Sequence, residues 1–213
     1  YYKVKYIFVA GAPGSKWSSV VKNIYYSADI DRSDYRDEWT YYHDAGDTGV
    51  KDLMHLGAYF DPGMLSPLPE DLTQLNRAEL EALFEPPFAF KESKGIRIIK
   101  SHVFSNHIDH LRKLFPETPI VIVHRNDDSC LGWWVKCGHF NITYPDYAEY
   151  FKDLTNMAKI IKSQNADILT AWWKYSGKTC ADNTQLAQAL NIAPPPKEYS
   201  QDYAVSDVRV MVI

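Results

Sequence analysis

Val4 to Ala10 reads VKYIFVA and runs straight into Gly11-Ala12-Pro13-Gly14-Ser15-Lys16-Trp17-Ser18-Ser19. The first segment is β-rich and almost continuously apolar, which predicts a strand buried on both faces of a parallel sheet. The second is turn-rich, and a helix is expected after it, from about Ser18 to Tyr26. A buried strand, a tight Gly/Ser loop and a helix in succession present backbone N–H groups to an anion, with the positive end of the helix dipole behind them. Gly11 and Gly14 permit close backbone approach, Lys16 supplies a point charge, and Ser15, Ser18 and Ser19 supply hydroxyls. The whole stretch from Gly11 to Ser19, including Ala12, Pro13 and the flanking Trp17, is therefore a candidate phosphate-binding loop. A glycine-rich turn without a ligand is the plainer alternative.

Working outward, Gly95 to Lys100 (GIRIIK) and Pro119 to His124 (PIVIVH) predict two further strands. Pro69 to Phe84 predicts an amphipathic helix through Leu72, Leu75, Leu80 and Leu83, stopped by Pro86-Pro87. Ser105 is placed to cap a helix carrying Ile108, Leu111, Leu114 and Phe115. Another helix is expected from about Asp127. Tyr147, Tyr150, Phe151, Leu154, Met157, Ile160 and Ile161 form a helical stripe, and Asn165 to Tyr175 and Asp182 to Leu190 predict two more helices. Strands alternating with helices imply an α/β fold, a three-layer sandwich around a central, mainly parallel sheet. No repeat or long linker divides residues 1–213, so a single domain is expected. Residues 29–94 and 194–213 are its expected irregular or substrate-side segments.

Composition narrows the function. The chain has 213 residues, 46% apolar and 23% charged, which is globular and not disordered. Lys plus Arg is 23 and Asp plus Glu is 27, so 23 − 27 = −4. That balance supplies no global field for nucleic acid or an anionic membrane. Any anion must be captured in a local pocket. The apolar runs are too short to cross a bilayer, and no charged-then-apolar leader opens the sequence. Cys130, Cys137 and Cys180 are an odd number without CxxC spacing, which favours a reducing compartment. A cytoplasmic location is the expectation. His107 and His110, with Asp109 between them, lack a third ligand, so no metal site is predicted.

Two phosphate loops compete for Gly11 to Ser19. The Walker A pattern of P-loop kinases is GxxxxGK[ST], but here the Gly before Lys16 is missing and Trp17 stands where the magnesium-binding hydroxyl belongs. Pro13, Ser15 and Ser18 instead fall in register with the loop that grips the 5′-phosphosulfate group in sulfotransferases using 3′-phosphoadenosine 5′-phosphosulfate (PAPS). Gly14 then stands where that family has Lys or Arg, Lys16 where it has Gly, and Trp17 where it has the first hydroxyl. Lys100-Ser101-His102-Val103 resembles the Lys-Thr-His-Leu segment of cytosolic-type sulfotransferases. Ile120 to Asp127 resembles their strand ending in Arg-Asn or Arg-Asp. The three segments follow in family order, each at a strand C-terminus.

The resemblance implies a P-loop NTPase-like sulfotransferase fold and transfer of a sulfuryl group from PAPS to a hydroxyl or amine, without a metal. It casts His102 as the general base and Lys16 or Lys100 as the group neutralising the departing oxygen. Residues Gly14 to Ser18 would hold the 5′-phosphate and Arg125 the 3′-phosphate. The family's second 3′-phosphate ligand is a Ser, whose position here is Trp133, so Ser129, one turn after Arg125, is the available hydroxyl. Two other readings stay open: a kinase using Mg-ATP, and a nucleotide-binding module without turnover. The third strand ends in His124-Arg125, and no apolar strand ending in a magnesium-binding Asp is read. The expected partners are the nucleotide and an acceptor whose identity the sequence leaves open.

Overall fold

The computed structural model describes residues 3–34, 42–43, 53–54, 56–62, 68–136, 150–199 and 207–213. Its strands are β1 (Tyr6–Gly11), β2 (Tyr42–His43), β3 (Leu53–Met54), β4 (Ala58–Tyr59), β5 (Arg97–Lys100), β6 (Ile120–His124), β7 (Lys178–Cys180) and β8 (Arg209–Val212). Its helices are α1 (Trp17–Tyr25), α2 (Arg77–Phe84), α3 (Ile108–Leu114), α4 (Asp127–Lys136), α5 (Leu154–Tyr175) and α6 (Asn183–Leu190). Six strands form one sheet in the order β4-β5-β1-β6-β8-β7, while β2 and β3 pair with each other. The first four of the six run parallel, and β8 is antiparallel to both of its neighbours.

Every residue of β1 is buried, as the apolar VKYIFVA run requires of a strand covered on both faces. Its side chains alternate between two cores. Ile7 and Val9 join α1 and α6 on one face, while Tyr6, Phe8 and Ala10 join α2 and α3 on the other. The second core is aromatic: the Phe8 ring lies 5.0 Å from Phe115 and 5.3 Å from Phe104. Helices on both faces of one sheet make the three layers.

Several elements differ from the sequence-based expectation. The Pro69–Phe84 helix divides into a 3₁₀ turn at Leu72–Gln74 and α2. Asn76 is the reason: its side chain accepts the Glu79 N–H at 3.0 Å, while its own N–H donates to the Glu79 carboxylate at 2.8 Å. This reciprocal cap starts the helix there. Ser105 lies inside a 3₁₀ turn, and α3 begins only after His107. The 154–161 part of the aromatic stripe and the expected Asn165 to Tyr175 helix form one continuous helix, α5, capped by Asp153. Tyr147 lies outside the described residues. β2, β3, β4, β7 and β8 were not expected, and β8 brings part of the C-terminal segment into the sheet.

A buried ion pair anchors β5 to the segment after α1. The Arg97 Nε donates to Asp31 at 3.1 Å with the two side chains 1% and 2% exposed. Asp31→Ala would strand that guanidinium without its carboxylate, at an expected cost of about 3–5 kcal/mol. Urea denaturation reads the loss directly, and a change under ~1 kcal/mol would contradict the assignment.

Candidate functional site

Because β4, β5, β1 and β6 are parallel, their C-terminal ends open on one edge of the sheet. In α/β sheets ligands bind at that edge. The chain delivers there the loop after β1, Lys100, Ser101 and His102 from β5, Arg125 from β6, and Asp61 just beyond β4.

Side chains from both neighbouring strands hold the loop. His102 Nδ1 lies 2.6 Å from the Gly11 carbonyl oxygen. A carbonyl only accepts, so Nδ1 carries the proton and Nε2 keeps a lone pair. From the other side, Arg125 Nη1 donates to the Gly14 carbonyl at 3.3 Å. Within the loop, the Ser15 N–H donates to the Ala12 carbonyl at 3.0 Å. Gly14 adopts φ +79°, and a Cβ on it would fall 1.9 Å from the Cys130 carbonyl oxygen of α4. No other residue fits, so the basic side chain that the sulfotransferase resemblance places here is sterically barred.

Lys16 is the N-cap of α1, with a left-handed φ of 62°. That conformation favours glycine, the residue the same resemblance places at this position. The Lys16 side chain makes no capping hydrogen bond, and no acidic residue occupies the first turn of α1. Ser15 is fully buried, with no partner for its hydroxyl. That hydroxyl is turned back toward Gly11 and away from the surface. An uncapped helix N-terminus beside a lysine suits an anion. Ala12, Pro13 and Trp17 are buried, Ser18 is half-buried, and Ser19 faces outward.

Trp17 is a structural neighbour of the base candidate. Its ring stacks on His102 with centroids 3.8 Å apart, and Tyr59 meets both rings edge-on at 5.4 and 5.6 Å. Lys100 Nζ lies 5.4 Å from the Trp17 ring centroid. Burial holds the Lys100 ammonium down to about 7, with Asp34 and Asp61 opposing the shift. Burial likewise pushes Asp34 up to about 6 and Asp61 up to about 7. His102 is held down to about 3 by burial and by the Lys100 charge, so its resting imidazole is neutral.

Asp61 organises the turn that carries His102. Its Oδ1 accepts from the Ser101 hydroxyl at 2.9 Å, the His102 N–H at 3.1 Å and the Val103 N–H at 3.4 Å. Oδ2 has no hydrogen-bond partner and lies 3.9 Å from His102 Nε2, too far for a direct hydrogen bond. Sequence reading missed this residue. The signal was Ala58-Tyr59-Phe60-Asp61, a short apolar run ending in an acid, and it does follow a parallel strand. Asp34 was also missed; Tyr25 donates its hydroxyl to it at 2.9 Å.

Arg125 is engaged twice. Besides Gly14, it donates from Nε to Asp207 at 3.0 Å. Ser129 also hydrogen-bonds Asp207, so the two candidate 3′-phosphate ligands converge on one carboxylate. Trp133, the residue at the expected Ser position, lies under Lys16, whose Nζ is 4.1 Å from its ring centroid. Two departures from the sulfotransferase pattern thus contact each other. Buried Asn165 of α5, also unforeseen, donates to the Arg125 carbonyl at 2.8 Å and fixes the end of β6. Among the described residues, no three His, Cys, Asp or Glu side chains group as metal ligands would. Cys137 lies outside the described residues.

Comparison with protein-family models, curated proteins and solved structures gives no match to this chain.

Two variants separate the loop's shape from its charge. Lys16→Gly removes the left-handed strain, so thermal stability is expected to hold or rise by about 1 kcal/mol while affinity for phosphorylated nucleotides falls. Gly14→Ala is expected to destabilise the fold by at least ~1–3 kcal/mol. Equal stability of the two variants in a melting experiment would contradict this loop geometry.

The buried acids give a pH dependence of defined sign. Asp61 is raised from 3.8 to about 7, so its stabilising contribution is complete below the unfolded value and is lost as pH rises through about 7. Melting curves of Asp61→Asn should therefore lose less stability than the parent between pH ~4 and ~7. Parallel curves would contradict the burial of this carboxyl.

Proposed function

We propose that the chain is a PAPS-dependent sulfotransferase of the P-loop type, with His102 as general base. What carries the reading is the clamped loop: His102 and Arg125, at the ends of the two strands flanking β1, each bond a carbonyl of Gly11 to Gly14. The three segments that resemble the family by sequence are thereby joined in one site. The uncapped start of α1, with Lys16 beside it, fits a phosphate group.

The chemistry follows from the side chains. His102 Nε2 takes the proton of the acceptor hydroxyl as its oxygen forms a bond to sulfur. The bond between sulfur and the 5′-phosphate oxygen breaks, and its electron pair stays on 3′-phosphoadenosine 5′-phosphate. Lys16, in the loop, supplies positive charge to that oxygen, and Lys100, against the Trp17 ring, adds charge only in its protonated fraction. Asp61 faces the Nε2 side of the ring and would stabilise the imidazolium as it forms. The resting imidazole is neutral, so Nε2 has a lone pair for that proton, while burial makes it a weaker base than an exposed histidine.

One observation favours a second reading, a nucleotide-binding module without turnover. Arg125 and Ser129 already meet a carboxylate, so a 3′-phosphate has to compete with Asp207 for them. The kinase reading draws less support, since Asp61 is 1% exposed and commits Oδ1 to the turn holding His102.

His102→Ala separates the first two readings. Incubated with PAPS and excess phenolic or carbohydrate hydroxyl compounds, the parent should release 3′-phosphoadenosine 5′-phosphate. The variant should lose about a hundredfold or more in rate while still binding that product. Equal rates in parent and variant would overturn the role of His102, and binding without release by the parent would establish the module reading.

A further inference from the structure

Sheet register ties the end of β6 to the start of β8. In their antiparallel ladder Val123 faces Val210 and His124 faces Arg209, so the chain entering β8 runs past Arg125 as it leaves β6. Asp207 lies on that approach, and the next residue, Val208, is anchored in the core shared with α1. The Asp207 carboxylate accepts from Arg125 Nε at 3.0 Å, the two side chains being 33% and 11% exposed. Ser129 bonds the same carboxylate from the first turns of α4. Asp127, nearer in sequence, is turned to the Asn165 amide at 2.7 Å, and Asp128 is exposed. The pairing of Arg125 with Asp207 is one-sided. Nη1 is turned to the Gly14 carbonyl, so the two-pronged fork that makes guanidinium–carboxylate pairs strong is not formed. Asp207 Oδ1 is buried without a hydrogen-bond partner, a cost that the single contact has to offset. A phosphate monoester, with three acceptor oxygens and nearly two charges, is the stronger partner for one guanidinium and one hydroxyl.

We propose that Asp207 is a built-in competitor for the phosphate seat at Arg125: its carboxylate and a ligand phosphate exclude each other there, so Asp207 sets how tightly and how long a 3′-phosphorylated nucleotide is held. The identity of the nucleotide rests on the sulfotransferase reading; the competition rests on the ion pair itself. A product held by the full strength of Arg125 would leave slowly, and a carboxylate beside the seat hastens its exit. A pair closed about nine-tenths of the time lowers the apparent affinity about tenfold. Asp207 then weakens nucleotide binding without abolishing it, and it acts only on ligands that reach for Arg125.

Asp207→Asn keeps the side chain's shape and removes its charge. By calorimetry this variant should bind 3′-phosphoadenosine 5′-phosphate about tenfold more tightly than the parent, with dissociation slowed to match, while ADP shifts by less than about twofold. Asp128→Asn removes an equal charge from the same end of α4 without touching Arg125, and should leave both ligands within about twofold. In an Arg125→Gln background the Asp207 change should have no effect. A merely structural ion pair predicts the opposite sign, weaker binding in both Asp207→Asn and Asp207→Ala. That result, an unchanged affinity, an equal gain for ADP, or loss of the folded state in both variants would overturn the proposal. If neither parent nor variant binds the nucleotide, inorganic phosphate reads the seat through the Arg125 Nε–Hε NMR signal. A shift at millimolar phosphate in Asp207→Asn alone would sink the nucleotide reading and leave the competition standing; no shift in either protein would overturn both.

Discussion

The loop after β1 keeps its shape because two of its carbonyls are bonded from opposite sides, Gly11 by His102 and Gly14 by Arg125. Both donors come from the ends of strands hydrogen-bonded to β1, so sheet register sets the loop's width. Asp61 reinforces one side by holding the turn of His102, and Asn165 reinforces the other by holding the carbonyl of Arg125. The loop needs such support, since it contains positive φ at both Gly14 and Lys16. Strain of this kind persists where surrounding contacts over-determine it, and it concentrates at functional sites.

Beneath the loop, burial shifts Lys100, Asp34 and Asp61 toward neutrality while leaving His102 uncharged. A core built for stability alone would gain by replacing these groups with apolar ones. Lys100, Asp61 and His102 lie at the C-terminal edge of the parallel strands, where groups with displaced affinities for protons are most often found in use.

Much of the frame was legible from local pattern. The apolar VKYIFVA run, followed by Gly, Pro and Ser, located β1, its loop and the start of α1 to within a residue or two. GIRIIK and PIVIVH located β5 and β6, and the short spacing of strands and helices gave the α/β class. What escaped was set by long-range partners. β4 has only two residues and is held by its pairing with β5. β8 is antiparallel, so the rule that alternating elements give parallel strands does not reach it. Asp61 and Asp207 sit far in sequence from the His102 turn and the Arg125 guanidinium that they hold, and nothing in their neighbours announces those contacts. The Lys16 and Trp133 contact likewise joins two positions that each looked like isolated departures.

The central claim is that this clamped loop and Arg125 form a site for a 3′-phosphorylated nucleotide. Calorimetric titration of the parent chain with 3′-phosphoadenosine 5′-phosphate, beside ADP and Mg-ATP, tests it most directly. The account predicts clear binding of the 3′-phosphorylated ligand, with ADP weaker by about tenfold or more for want of the Arg125 contact. Preference for Mg-ATP, or no heat from any of the three, would contradict it.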